Sequence, residues 1–100
     1  MKCCLCDKPD AVPHHVFPGA NRYVSDKYRL VVPLCHYHHT GAGGYHQLKD
    51  GREIAKWERK FCKMLGLDYN KTLRAVISKH NREYLDKRWN ILHGIWADWE

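Results

Sequence analysis

Eight histidines and five cysteines occur in 100 residues, and most of them fall into short-spaced groups. Cys3 and Cys6 form a CxxC in MKCCLCDK; Cys35 and His38 form a CxxH in LCHYHH about thirty residues later. Two such pairs of soft ligands suit tetrahedral zinc, because each short turn supplies two adjacent corners and the intervening chain closes the loop. CCLC offers two registers, with Cys4 as the substitute for Cys3, and the CxxC spacing favours Cys3. Cys62 falls in a helical segment and reads as a packed or surface thiol.

His39 and His46 remain beyond the second pair, with the adjacent His14 and His15 upstream. Successive side chains on a strand point to opposite sides, so His14 and His15 cannot both bind one ion from a regular strand. They can divide the work. A divalent ion on His14 and His39 would leave positions for water and for a phosphodiester oxygen, and an imidazole beside it is the side chain suited to take a proton near neutral pH. The ion would offset charge on the phosphorane and on the departing 3′ oxygen. His36 reads as solvent-exposed, and His80 and His93 as residues of helix surfaces.

CxxC, then HH, then an apolar strand entering LCxxHH resembles the HNH endonucleases of the ββα-metal (His-Me finger) group. It is most similar to the small zinc-containing HNH proteins of phages and prophages, over roughly residues 1 to 85. The resemblance implies an α+β fold, a small zinc-stabilised ββα-metal core followed by C-terminal helices, and metal-dependent hydrolysis of DNA phosphodiesters. It implies a structural Zn²⁺ on Cys3, Cys6, Cys35 and His38, and Mg²⁺ or another divalent ion on His14 and His39. His15 takes the place of the general base, and His46 that of a residue on the metal or the scissile phosphate. Leu30 stands where many members carry the middle Asn, which leaves Asn21 or Asp26 to orient His15. The competing reading is a zinc-stabilised module that binds nucleic acid or a protein partner without catalysis.

The formal charge of +6 favours a polyanionic partner. Arg22, Lys27 and Arg29 are the candidate phosphate contacts. MKCCLCDK lacks the apolar core of a signal peptide, and no apolar run is long enough to span a bilayer. The expectation is therefore a cytoplasmic protein, in the host cytoplasm if phage-encoded, with reduced cysteines and no membrane partner.

These residues need elements to hold them. AVPHHVF and RLVVPLC read as the two strands of a hairpin-like unit, with the polar ANRYVSDKY between them as a loop. Gly41, Gly43 and Gly44 are expected to break any helix starting at Cys35. Asp50 with Glu53 has capping-box spacing before Ile54, Trp57, Phe61 and Leu65, and Gly66 ends that helix. Asp68 or Asn70 caps a second helix with the stripe Leu73, Val76, Ile77 and Tyr84. Trp89, Leu92, Trp96 and Trp99 form the seam of a third, a candidate contact for a homodimer or protein partner. Residues 1–48 thus form the zinc-knuckle and HNH-like core, and 49–100 a helical extension of the same single domain.

Overall fold

In the computed structural model, which describes residues 1–100, strand β1 (Val12–His15) pairs antiparallel with β2 (Val31–Leu34). The register sets His14 opposite Val32 and His15 opposite Val31. The ladder extends one step further, the Val16 amide donating to the Leu30 carbonyl at 2.9 Å. An isolated two-stranded sheet is at best marginally stable in water, so this one depends on what packs around it.

The segment between the strands is not a loop. It forms a 3-10 turn (Gly19–Asn21) and then helix α1 (Arg22–Tyr28), which buries Val24, Ser25 and Tyr28. The apolar pair Val24 and Tyr28, spaced i,i+4, is the helical signal hidden among polar neighbours. The stop is a Schellman turn built without glycine. Arg29 takes the left-handed conformation (φ 56°), its amide donates to the Asp26 carbonyl, and the Leu30 amide donates to the Ser25 carbonyl. Leu30 follows as a fully buried core residue.

Past β2 the chain makes a four-residue helix, α2 (His36–His39), despite the glycines that follow. Those glycines fold the chain back over α2 rather than preventing it. A Cβ on Gly41 would lie 2.7 Å from the Tyr37 Cα, and one on Gly44 2.7 Å from the His39 carbonyl oxygen. The return leads into a 3-10 turn (Tyr45–Gln47) that carries His46.

The remainder is helical: α3 (Gly51–Met64), α4 (Tyr69–Ile77), α5 (Glu83–Asp86) and α6 (Trp89–Trp99). Asp50 caps α3 by accepting from the Arg52 amide, and Asp68 caps α4 by accepting from the Lys71 amide. Gly66 ends α3 with φ 72°. The expected second helix divides at Ser78, whose extended backbone stops α4. Ile77 consequently points outward, 64% exposed, while the Arg82 guanidinium donates to the Ala75 and Val76 carbonyls. In α6, Leu92 and Trp96 turn inward and Trp89 outward, and Gly94 leaves the helix unbroken.

The core draws on both halves of the chain. Val16, Val24, Leu30, Val32 and Leu34 share one buried cluster with Phe61, Cys62, Leu65, Val76, Leu85 and Leu92. Tyr28 hydrogen-bonds Asp86, tying α1 to α5. The architecture is α+β, and no helix is long and apolar enough to cross a membrane.

Candidate metal centres

Two groups of ligand-type side chains converge, one of Cys3, Cys6, Cys35 and His38, the other of His14, His39 and His46.

The first begins in the turn after Met1. The Cys3 carbonyl accepts from the Asp7 amide at 2.9 Å, closing a tight turn that leaves Asp7 at φ 63°. The Cys4 amide donates to the Pro33 carbonyl at 2.9 Å, which fastens the knuckle to β2. Opposite it, Cys35 precedes the first residue of α2 and His38 lies one turn on. Cys6 Sγ is 3.6 Å from Cys35 Sγ, and His38 Nδ1 is 3.3 Å from Cys35 Sγ and 3.7 Å from Cys3 Sγ. Zinc at about 2.3 Å from sulfur and about 2.05 Å from nitrogen would set tetrahedral S–S and S–N edges near 3.8 and 3.6 Å. The group therefore fits a structural zinc. Burial pushes the Cys3 thiol up, but backbone amides of Cys35, Leu5 and Cys6 outweigh it and bring its pKa below the ordinary value, toward the thiolate zinc requires. Cys4 stays outside the group, and burial raises its thiol to about 12. Cys62 is a buried thiol of α3, likewise raised to about 12, first by burial.

The second group joins three elements: His14 from β1, His39 from the end of α2, and His46 from the 3-10 turn beyond the glycines. His39 Nε2 and His46 Nε2 are 3.0 Å apart, and all three ligand nitrogens lie within 4.8 Å of one another. Two imidazoles sharing an ion at about 2.1 Å have nitrogens about 3.0–3.4 Å apart. His14 is 1% exposed and its Nε2 is the one buried side-chain nitrogen or oxygen without a hydrogen-bond partner. A buried polar atom left unpaired costs roughly 1–3 kcal/mol, a cost that a cation on that lone pair would offset. Burial, then the nearby His39, His46 and His15, lowers His14 to about 3, and burial with His46 lowers His39. Both stay neutral, the state that binds metal.

The donor set is three imidazoles and no carboxylate. It suits zinc, nickel, cobalt or copper, whereas magnesium favours oxygen ligands and nothing here supplies them. Tyr45 backs the site, its ring 4.5 Å from that of His14. Glu58 of α3 accepts from Tyr45 at 3.1 Å and Tyr69 at 3.0 Å, and burial raises its pKa. No motif in the sequence marks Tyr45, Glu58 and Tyr69; only their convergence in three dimensions does.

His15 stands beside this group without joining it. Its Nε2 is 2.5 Å from Asp26 Oδ1, on α1. His14, His15, His39 and His46 line one cleft of ≈ 300 Å³ with Pro13, Pro18, Gly19 and Arg22. Of the three expected phosphate contacts only Arg22 reaches it. Lys27 lies over the Tyr28 ring, and Arg29, whose backbone forms the α1 stop, does not line the cleft. His36 is exposed and bonds Thr40; His93 stacks on Trp89. Comparison with protein-family models, with curated proteins and with solved structures gives no match.

Proposed function

We propose that the chain is a metal-dependent endonuclease of the ββα-metal type, hydrolysing phosphodiesters of DNA. One observation carries this reading: the orphaned Nε2 of buried His14 converges with His39 and His46, while His15, its chain neighbour, opens into the same cleft and is held by Asp26. A purely structural site has no use for an exposed cleft, an arginine and a tethered imidazole beside the ligands. The element order also suits the resemblance: paired histidines end the first strand, and the last histidine of LCHYHH sits on the short helix after the second.

In this reading His14, His39 and His46 hold a divalent transition metal. When bound, that ion would neutralise charge on the phosphoryl oxygens and stabilise the leaving 3′ oxygen. His15 takes a proton from the attacking water. Arg22 binds a non-bridging phosphate oxygen and orients the strand, as arginine does elsewhere on nucleic-acid backbones. The formal charge of +6 supports a polyanionic substrate. Nothing in the sequence looks like a reader of base edges, so weak sequence preference is expected.

Nicking of supercoiled plasmid in a series of Mg²⁺, Mn²⁺, Co²⁺, Ni²⁺ and Zn²⁺ tests the proposal. Activity is expected with the transition metals in preference to Mg²⁺, and His15→Ala should lower it by about 10²–10⁴-fold at unchanged zinc content and circular dichroism. Undiminished cleavage by purified His15→Ala protein would rule the mechanism out.

A further inference from the structure

His38 turns Nδ1 toward the sulfurs of Cys3 and Cys35. With zinc on that nitrogen, the ring's hydrogen sits on Nε2. A metal-bound imidazole almost always donates this second N–H to a carboxylate, a carbonyl or water. Here both hydrogen bonds of the side chain are at Nδ1, and Nε2 has no partner within the chain. The ring instead lines a second cleft, of ≈ 290 Å³, between the knuckle and α3, with Leu5, Glu53, Lys56, Trp57 and Lys60.

Lys56 and Lys60 stand one turn apart on α3, on the same face. Neither enters an ion pair, and nor does Glu53. Two ammonium groups and an imidazole N–H therefore line one space with no anion of the chain bonded to them. We propose that this cleft is a phosphate subsite for the DNA strand. One backbone phosphate accepts from His38 Nε2 and pairs with Lys56 and Lys60, while Leu5 and Trp57 pack against the adjoining sugar. The choice of DNA as the source of the phosphate rests on the nuclease reading above. The anion site itself rests on the unclaimed N–H and the two unpaired lysines.

The two clefts adjoin across α2. His38 lines this one and His39 the metal cleft, and Cα atoms of chain neighbours are only about 3.8 Å apart. A strand seated at one cleft is therefore close to the other. Lysine and N–H contacts to phosphate fix the register of a nucleic acid without reading its sequence. The Trp57 ring, 6.4 Å from that of His38, gives the cleft an apolar wall beside its donors. Glu53 opposes an anion, and two lysines outweigh it.

The test uses protein loaded with one zinc and lacking the second ion, so that binding is read without cutting. A fluorescent DNA duplex of about 20 base pairs is titrated by anisotropy at about 50 and 200 mM salt. Lys56→Gln/Lys60→Gln should bind at least about 10-fold more weakly at the lower salt, with the salt slope reduced by about one. Lys79→Gln/Lys87→Gln removes the same charge outside both clefts and should stay within about threefold of wild type. Glu53→Gln should bind about two- to fivefold more tightly. Long-range ¹H–¹⁵N spectra follow the His38 Nε2–H, which the duplex should shift in wild type and leave unmoved in Lys56→Gln/Lys60→Gln. Zinc content and circular dichroism should be unchanged in every variant. Equal losses in the two lysine pairs overturn the proposal, as does a His38 signal that the duplex leaves unmoved in wild type. Inorganic phosphate that shifts this signal as far, at the same concentration of phosphate groups, overturns the assignment to DNA. If the duplex binds as stated but no metal supports nicking, the nuclease reading falls by itself and the subsite stands.

Discussion

His38 and His39 are consecutive residues of the four-residue helix α2, yet their rings serve different groups: His38 joins Cys3, Cys6 and Cys35, and His39 joins His14 and His46. A single helical turn has no stability of its own, because nucleation costs more than its few hydrogen bonds return. Its start is held in the group of Cys3, Cys6, Cys35 and His38, and His39 shares that position.

The two centres should therefore fill in a fixed order. A structural zinc contributes on the order of 10 kcal/mol to folding, comparable with the whole stability of a small domain. Cys35→Ser is expected to lose both metals and the cooperative thermal transition. His46→Ala should lose only the second ion and keep one zinc per chain with an unchanged circular dichroism spectrum. Elemental analysis of the purified variants checks this; a Cys35→Ser protein that still bound metal through its histidines would contradict it.

His14 has a cost in the metal-free second site, since its Nε2 is buried and unpaired among Tyr45, Phe61, His39 and His46. His14→Leu removes that atom at similar volume. Without added metal the variant should be as stable as wild type or more so, by up to about 2 kcal/mol. Added Zn²⁺ or Co²⁺ should raise the melting temperature of wild type and leave the variant unmoved. Melts with and without metal measure both effects. A variant stabilised by added Zn²⁺ as strongly as wild type would remove His14 from the ligand set.

Much of the site is legible in the sequence. Cysteine and histidine spacings mark the group of Cys3, Cys6, Cys35 and His38, since a ligand pair three residues apart on a turn leaves little freedom. Pairing the two strands draws His14 toward the end of LCHYHH and so toward His39, whereas His46 arrives only by the return of the chain over α2. What stayed hidden were features made by packing. Helix α1 read as a loop because six of its seven residues are not aliphatic and its stop uses Arg29 rather than glycine. The glycines argue against α2 because glycine usually opposes helices, whereas Gly41 and Gly44 here permit a close return over its end. Residue type alone gave Arg22, Lys27 and Arg29 equal standing; only the direction of α1 separates them.

The pKa of His14, about 3 in the folded protein against about 6.5 for a free imidazole, makes stability depend on pH. The unfolded chain binds the extra proton, so stability is full above about pH 6.5 and declines as pH falls toward 3. Between pH 7 and pH 5 this residue alone should remove about 2 kcal/mol. Urea titrations of zinc-loaded protein lacking the second ion, run at both pH values, should give that loss in wild type and a smaller one in His14→Leu. Equal losses in the two proteins would exclude His14 as the source.

Leu30 is where the resemblance to the HNH motif and the packing of this chain part. It is fully buried, it follows the α1 stop with its amide on the Ser25 carbonyl, and its own carbonyl accepts from Val16. An asparagine there would place a carboxamide in the core, away from His15, which Asp26 already holds. Leu30→Asn is thus expected to cost about 3–5 kcal/mol, from the lost apolar contact and the buried amide together. It should also loosen α1, and with it both Arg22 and Asp26, so nicking should slow rather than quicken. Chemical denaturation and plasmid nicking on the same preparation test both halves. A Leu30→Asn protein as stable as wild type and faster at cleavage would mean that position 30 faces the site.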